Sequence, residues 1–131
     1  MISIILLCCA GVCWGVMQTL VFHYDVSVFK NAKRFRRTFW DPNYSYVNKY
    51  KNNSPNPPFI PKFFGSTTFL VWTTDAWHLL DKIFLTLLFA SVYFYPFPNN
   101  DLILFIDLLV GYVIFTISFE VTWRLLKKVK K

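Results

Sequence analysis

The chain has 131 residues, of which 55% are hydrophobic and 21% aromatic, with a mean hydropathy of +0.39 and a net charge of +7. A soluble domain of this size cannot bury so much apolar surface, so the composition excludes an ordinary soluble protein. The cations come in blocks beside apolar runs, which favours a membrane surface over nucleic acid as a partner. We therefore expect one all-α membrane domain, residues 1–131. The three cysteines, Cys8, Cys9 and Cys13, are too few and too close for a disulfide framework, and we interpret them as small apolar side chains.

The first apolar run, residues 2–22, carries no charge and predicts a first membrane span of about residues 2–23. As a helix it would be about 31 Å long, enough to cross the hydrocarbon core. No positive residue precedes it, which favours an uncleaved signal anchor over a cleaved signal peptide. Gly11 and Gly15 form a small-xxx-small pair that would let another helix approach closely.

A polar connection follows, residues 24–65. Its first part places Val28, Ala32, Phe35 and Phe39 at helical spacing among cations, which predicts an amphipathic helix in the headgroup plane, ending near Asp41-Pro42. We expect five residues of the connection to contact anionic lipid headgroups: Arg34, Arg36, Arg37, Asn48 and Lys49.

The second apolar run predicts a span over about residues 69–95, and the third predicts a span over about residues 101–126 with a basic tail at 127–131. We expect Thr74 to cap the second span, with Asp75 favouring its N-terminus. Segment 63–73 either re-enters the membrane or extends this helix. The short linker after Pro96 and Pro98 makes the third span antiparallel to the second.

Orientation follows from the distribution of Lys and Arg. The 24–65 connection carries eight of them and the C-terminal end five, whereas residues 96–101 carry none. The positive-inside rule therefore predicts a multi-pass protein of the inner, cytoplasmic membrane, with the N-terminus outside and the connection and C-terminus in the cytoplasm.

This topology brings ionisable groups from all three spans to the cytoplasmic interface. They are His23 and Asp25 after the first span, Asp75, His78, Asp81 and Lys82 at the start of the second, and Glu120 and Arg124 near the end of the third. Asp75, His78 and Lys82 share one helix face by their i, i+3, i+7 spacing. Because charge is costly inside a membrane, these groups must pair with one another or contact headgroups.

Three interpretations of the cluster remain open. In the structural one, Asp75 stabilises the helix start, and His78, Asp81 and Lys82 pair within the bundle. In the second, a divalent transition metal such as zinc, iron or manganese is bound by a set drawn from His23, Asp75, His78, Glu120 and Asp25. In the third, His23, Asp75 and His78 are catalytic residues that perform acid–base chemistry on a lipid headgroup without a metal. Separately, Asp107 within the third span is expected to face the bundle or a short cavity.

Three stretches resemble a small bacterial membrane-protein family to which no activity is attached: GVMQTLVFH at 15–23, SYVNKY at 45–50 and FFGSTTFLVWTTDAWHLL at 63–80. The resemblance covers about half of the chain, through its S-x-x-N-K-Y and T-D-x-W-H patterns. It implies that five residues belong to one shared feature, namely His23, Asn48, Lys49, Asp75 and His78, and it implies no substrate.

Three functions fit these patterns. The leading hypothesis is a non-catalytic subunit or accessory protein that binds anionic lipid and associates with a second copy or a larger membrane protein through Gly11 and Gly15. The second is a metal-dependent or acid–base membrane enzyme acting on a lipid headgroup. The third is a pore-former with holin-like topology.

Overall fold

A computed structural model of the chain describes residues 1–31 and 37–127. Three long helices dominate these ranges: α1 (Ile2–Phe22), α4 (Ala76–Tyr93) and α5 (Asp101–Leu126). Two four-residue helices lie in the connection, α2 (Arg37–Trp40) and α3 (Tyr46–Lys49). No β-strand occurs in the described ranges, so the all-α prediction is confirmed for that part of the chain.

The three long helices are each long and apolar enough to cross a membrane, which confirms the three predicted spans at the level of length and composition. The end of α4 agrees with the predicted stop before Pro96, because proline cannot continue a helix. Asn100 caps the start of α5, where its side-chain oxygen accepts hydrogen bonds from the backbone N–H groups of Leu102 and Ile103.

The start of α4 differs from the prediction. Asp75, not Thr74, is the N-cap, and the helix begins at Ala76 rather than near residue 69. The Thr74 hydroxyl instead donates to the Val71 carbonyl at 2.6 Å. Residue 63 is a bend, residues 64–70 form turns, and a 3₁₀ turn follows at Val71–Thr73, so segment 63–73 does not extend the helix.

The helix α1 lies between the other two spans. It packs along both α4 and α5, which have far fewer contacts with each other. The Ser3 hydroxyl near the start of α1 donates to the Ser91 carbonyl near the end of α4, so these two helices are antiparallel. Along α5, Leu7, Gly11 and Gly15 face residues 111, 115 and 119 in the same order, so α1 and α5 are parallel.

Gly11 and Gly15 are what allow α1 and α5 to approach so closely. A Cβ at Gly11 would lie 2.5 Å from the Phe115 carbonyl oxygen, and one at Gly15 would lie 2.9 Å from the Phe119 carbonyl oxygen. The predicted small-residue face therefore exists, but α5 of the same chain covers it. The expectation that a partner protein packs there is wrong.

The connection between α1 and α4 folds into a compact unit at one end of the bundle, which we call the polar cap (residues 37–75). A short antiparallel pairing holds it, because the Lys51 amide donates to the Ile60 carbonyl and the Lys62 amide donates to the Lys49 carbonyl, both at 2.9 Å. A small apolar core of Leu20, Tyr24 and Ala76 lies where the cap, α1 and α4 meet.

The described residues do not show the predicted interfacial helix, whose central residues 32–36 lie outside the described ranges. Before the gap, residues 24–26 and 28–31 form two 3₁₀ turns, and after it α2 supplies one helical turn. Arg34 and Arg36, two of the predicted headgroup contacts, lie outside the described ranges, as do residues 128–131 of the predicted basic tail.

Candidate functional site

The candidate site is built around the carboxylate of Asp75 at the N-terminus of α4. The backbone of Asp75 is extended, and its Oδ1 accepts a hydrogen bond from the backbone N–H of His78 at 3.0 Å. This is N-capping geometry, in which a side chain satisfies one of the amide groups that a helix leaves unpaired at its start. Asp75 is only 1% exposed, so its remaining acceptor positions must also be satisfied from within the protein.

The imidazole of His78 supplies the second donor. Its Nδ1 lies 2.8 Å from Oδ1 and 2.9 Å from Oδ2 of Asp75. Because an ionised carboxylate can only accept, the proton of this contact belongs to Nδ1. The neutral imidazole then keeps its lone pair on Nε2, and the Asp75–His78 pair fixes the tautomer of the ring.

Lys49, at the C-terminal end of α3, supplies the third donor from a distant part of the chain. Its Nζ lies 3.0 Å from Asp75 Oδ2, and its side chain is only 15% exposed. Next to it, Asn48 donates its Nδ2 to the carbonyls of Thr38 and Thr74, at 3.0 and 2.8 Å. The N-K pair therefore ties α2, α3 and the start of α4 together.

A further hydrogen bond positions Lys49. The Ser66 hydroxyl donates to the Lys49 carbonyl at 2.8 Å and accepts from the Lys62 amide at 3.1 Å. Ser66 is fully buried, and it links the FFGSTT turn to the back of α3. The Lys49 carbonyl thus accepts from both the Ser66 hydroxyl and the Lys62 amide. These two bonds fix the backbone of Lys49 in the position from which its side chain reaches Asp75.

The electrostatics follow from these contacts. Burial by itself raises the pKa of Asp75, but hydrogen bonds from the His78 ring, the His78 backbone and Lys49, together with the Lys49 charge, outweigh it and lower the pKa to about 2. Asp75 is therefore an anion at neutral pH. Its buried negative charge is compensated by Lys49 and by the hydrogen bonds from His78.

The structure assembles four of the five residues that the family resemblance groups together: Asn48, Lys49, Asp75 and His78. It places the fifth, His23, against the ring of Trp123 at 5.4 Å, at the junction of α1 and α5. Asn48 and Lys49, predicted to contact lipid headgroups, use their polar groups inside the cap instead.

The predicted metal site is not supported. Within residues 1–31 and 37–127, no group of three or more His, Cys, Asp or Glu side chains is arranged to bind a metal ion. Asp75 already accepts from the His78 backbone, the His78 ring, Lys49 and, at 3.2 Å, the Thr74 hydroxyl. Two other proposed ligands pair elsewhere, Glu120 with Arg124 and Asp25 with Lys30 at 3.3 Å. The positions of these residues along their helices predict that they lie at a similar depth. Position along a helix does not show in which direction a side chain points.

The other charged groups of α4 form their own pair. Lys82 Nζ lies 3.1 Å from Asp81 Oδ2, on a more exposed part of the helix than Asp75. This agrees with the structural interpretation for Asp81 and Lys82, although Lys82 makes no ion pair with Asp75 in the described part of the chain.

Asp41 is a second buried carboxylate, and its hydrogen bonds within the polar cap were not predicted from the sequence. Its Oδ1 accepts from the Asn43 amide and its Oδ2 from Arg37 Nε, both at 3.1 Å. Arg37 also stacks on the Tyr44 ring, with 4.2 Å from Cζ to the ring centroid. The D-P-N sequence was the available signal, because Asp before Pro often bonds the backbone two residues on. Arg37 thus has one N–H committed within the cap, although its side chain remains 60% exposed.

No protein-family model, no curated protein and no solved structure matches this chain. The interpretation of the site therefore depends on its geometry.

Proposed function

We propose that this chain is a non-catalytic membrane protein, a subunit or accessory protein, whose three spans carry a folded polar cap at one membrane surface. The observation that carries this proposal is the saturation of Asp75. Its carboxylate is 1% exposed and receives donors from the His78 backbone, the His78 ring and Lys49. A group enclosed in this way stabilises structure, and no substrate atom has access to it.

We place the cap in the cytoplasm, because the connection and the C-terminal end carry nearly all of the Lys and Arg residues. Anionic headgroups are its expected lipid contacts. The cations suited to this role are the exposed ones of the connection, including Arg37 and Lys51, together with Arg34 and Arg36, which the sequence analysis predicts. Lys49 does not belong to this group, since Asp75 neutralises it.

The surface available to a protein partner lies on α5. Among its residues only Gly111 is buried, and most of the others are exposed to lipid or to another protein, apart from those that pack on α1. The Gly11–Gly15 face is not available, because α5 already covers it. A second copy or a larger membrane protein would therefore contact α5 on the side away from α1.

The test is purification of the full chain from its native membrane in mild detergent, followed by native mass spectrometry. We expect a second copy or a larger membrane protein at a fixed stoichiometry. Leu109→Trp and Val113→Trp, on exposed positions of α5, should release that partner, whereas Val12→Trp on α1 should not. A chain that is monomeric in every preparation would contradict the proposal.

One observation favours a second candidate, a metal-free acid–base enzyme acting on a lipid headgroup. The Asp75–His78 pair orients an imidazole whose side chain is 28% exposed and whose Nε2 keeps a lone pair. A carboxylate that holds Nδ1–H in this way is the arrangement that activates a histidine as a general base.

This second function is tested with vesicles that contain phosphatidylglycerol and phosphatidylethanolamine. Wild-type protein and His78→Gln are incubated with them, and the lipid products are measured. Turnover that falls by about 10²-fold or more in His78→Gln, with the fold retained, would favour the enzyme. Absence of turnover in both would leave the accessory role as the better function.

A further inference from the structure

A cavity of about 590 Å³ lies between α1, α4 and α5, at the end of the bundle away from the polar cap. It exists because α1 packs on both neighbours while α4 and α5 have few contacts with each other. The lining includes Ile4 and Leu7 of α1, Leu88 and Val92 of α4, and Leu108 and Tyr112 of α5. All three walls are helices suited to a membrane span, so the cavity is reached from the hydrocarbon phase.

One carboxylate lies in this mostly apolar lining. Asp107 Oδ2 accepts a hydrogen bond from the Tyr95 hydroxyl at 2.8 Å. No other hydrogen bond or ion pair from the described part of the chain reaches Asp107. An ionised carboxylate has about four acceptor positions, so Tyr95 satisfies only part of its capacity. Such a group at membrane depth requires a further donor.

Asp107 lies close enough to the start of α5 for a lipid headgroup to reach it. It lies about 9 Å along α5 from the helix start, since each helical residue advances about 1.5 Å. The cavity volume falls within the range of about 300–1,000 Å³ that small-molecule sites occupy. A lipid can therefore place its polar group at Asp107 and an acyl chain along Leu7 and Leu88.

Charge decides which headgroup fits. No Lys or Arg lines the cavity, and the sequence has none between Lys82 and Arg124. The amino group of Met1, which also lines the cavity, forms no ion pair with Asp107. An anionic headgroup would meet the Asp107 carboxylate with no neighbouring lysine or arginine to compensate it. An ammonium group would instead donate a charge-assisted hydrogen bond to Asp107.

We propose that this cavity binds one phospholipid with a primary ammonium headgroup, which donates to Asp107 while an acyl chain lies against α1 between α4 and α5. The site lies at the opposite membrane surface from the polar cap, and it is independent of the function proposed above.

The experiment is a native mass spectrometry titration of the detergent-purified chain with three lipids of equal acyl length. Phosphatidylethanolamine carries the primary ammonium, phosphatidylcholine has the same net charge but no N–H donor, and phosphatidylglycerol is anionic. Asp107→Asn removes the charge but leaves an oxygen for Tyr95. Val92→Trp fills the cavity, and Val121→Trp is its matched control, since both valines are at least half exposed and only Val92 lines the cavity.

We expect wild type and Val121→Trp to bind one phosphatidylethanolamine about tenfold more tightly than either other lipid, equivalent to about 1.4 kcal/mol. Asp107→Asn should lose this preference, and Val92→Trp should lose binding of all three lipids while its thermal unfolding stays near wild type. Equal affinity of wild type for the three lipids, or binding that Val92→Trp leaves unchanged, would overturn the proposal. A dimer that disappears only in Val92→Trp would overturn it as well, by identifying a second copy as the occupant.

Discussion

Lys49 Nζ lies 3.0 Å from Asp75 Oδ2, and this contact joins the end of α3 to the N-cap of α4. Both side chains are largely buried, so the pair is not screened as a surface ion pair would be. Asp75 also caps α4 through the His78 amide. One carboxylate therefore fixes both the start of a membrane span and the position of the cap above it.

Removing the Asp75 carboxylate should strongly destabilise the protein. Asp75→Ala leaves Lys49 as an uncompensated buried cation and removes the helix cap, so we expect a loss of about 3–5 kcal/mol in the free energy of unfolding. The measurement is equilibrium unfolding in mild detergent. Asp81→Ala, which breaks the more exposed pair with Lys82, is the control and should cost at most about 1 kcal/mol. Equal effects of the two substitutions would show that the Asp75 contacts contribute little.

The stability of the cap should depend on acid pH through Asp75. Its pKa falls from an ordinary value of 3.8 to about 2 on folding, so its contribution is complete above pH 3.8 and is lost as the pH falls through 2. The contribution amounts to roughly 2 kcal/mol.

The unfolding temperature of wild type and Asp75→Asn, measured from pH 6 to pH 2, checks this expectation. The difference between the two proteins should shrink towards pH 2, because Asp75 is increasingly protonated there and becomes neutral, as Asn is. A difference that does not vary with pH would mean that the pKa of Asp75 is not lowered in the folded state.

The three helical glycines should differ in their tolerance of alanine. Gly11→Ala meets the Phe115 backbone at 2.5 Å, Gly15→Ala meets the Phe119 carbonyl oxygen and the Thr122 side chain at 2.9 Å, and Gly111→Ala meets only the end of the flexible Leu7 side chain at 3.0 Å. We expect the free energy of unfolding to fall by about 1–3 kcal/mol for Gly11→Ala and Gly15→Ala, with the larger loss at Gly11. The loss for Gly111→Ala should be smaller.

The thermal stability of the three variants ranks them, with Val12→Ala on the exposed side of α1 as the reference. If Gly11→Ala changed the oligomeric state and left the stability of the monomer intact, the α1–α5 contact would have been assigned wrongly.

The proposed orientation predicts opposite accessibility for two exposed asparagines. In a chain with Cys8, Cys9 and Cys13 replaced by alanine, Asn99→Cys in the α4–α5 linker should react with a membrane-impermeant maleimide in intact cells. Asn56→Cys in the polar cap should react only after the membrane is permeabilised. Labelling of Asn56→Cys in intact cells would reverse the orientation.

The sequence by itself determined the three spans, because uninterrupted apolar length and flanking prolines are local properties. It also determined that ionisable groups gather near the ends of those spans, since a charge is costly anywhere deeper. Asp75 and His78 were identified from their spacing at the start of the second span, whereas only the predicted resemblance grouped Asn48 and Lys49 with them.

Only the tertiary structure decided which groups meet. Lys49 reaches Asp75 through the turns of the polar cap, and no periodicity predicts the path of such a connection. His23 and Glu120 lie at a similar level on their helices, but side-chain direction depends on how each helix is rotated in the bundle, so the predicted metal ligands do not converge. The Gly11–Gly15 face was visible in the sequence, but a small-residue stripe does not specify its partner. That partner is α5, because the chain itself brings this helix alongside α1 at a distance that only glycine permits.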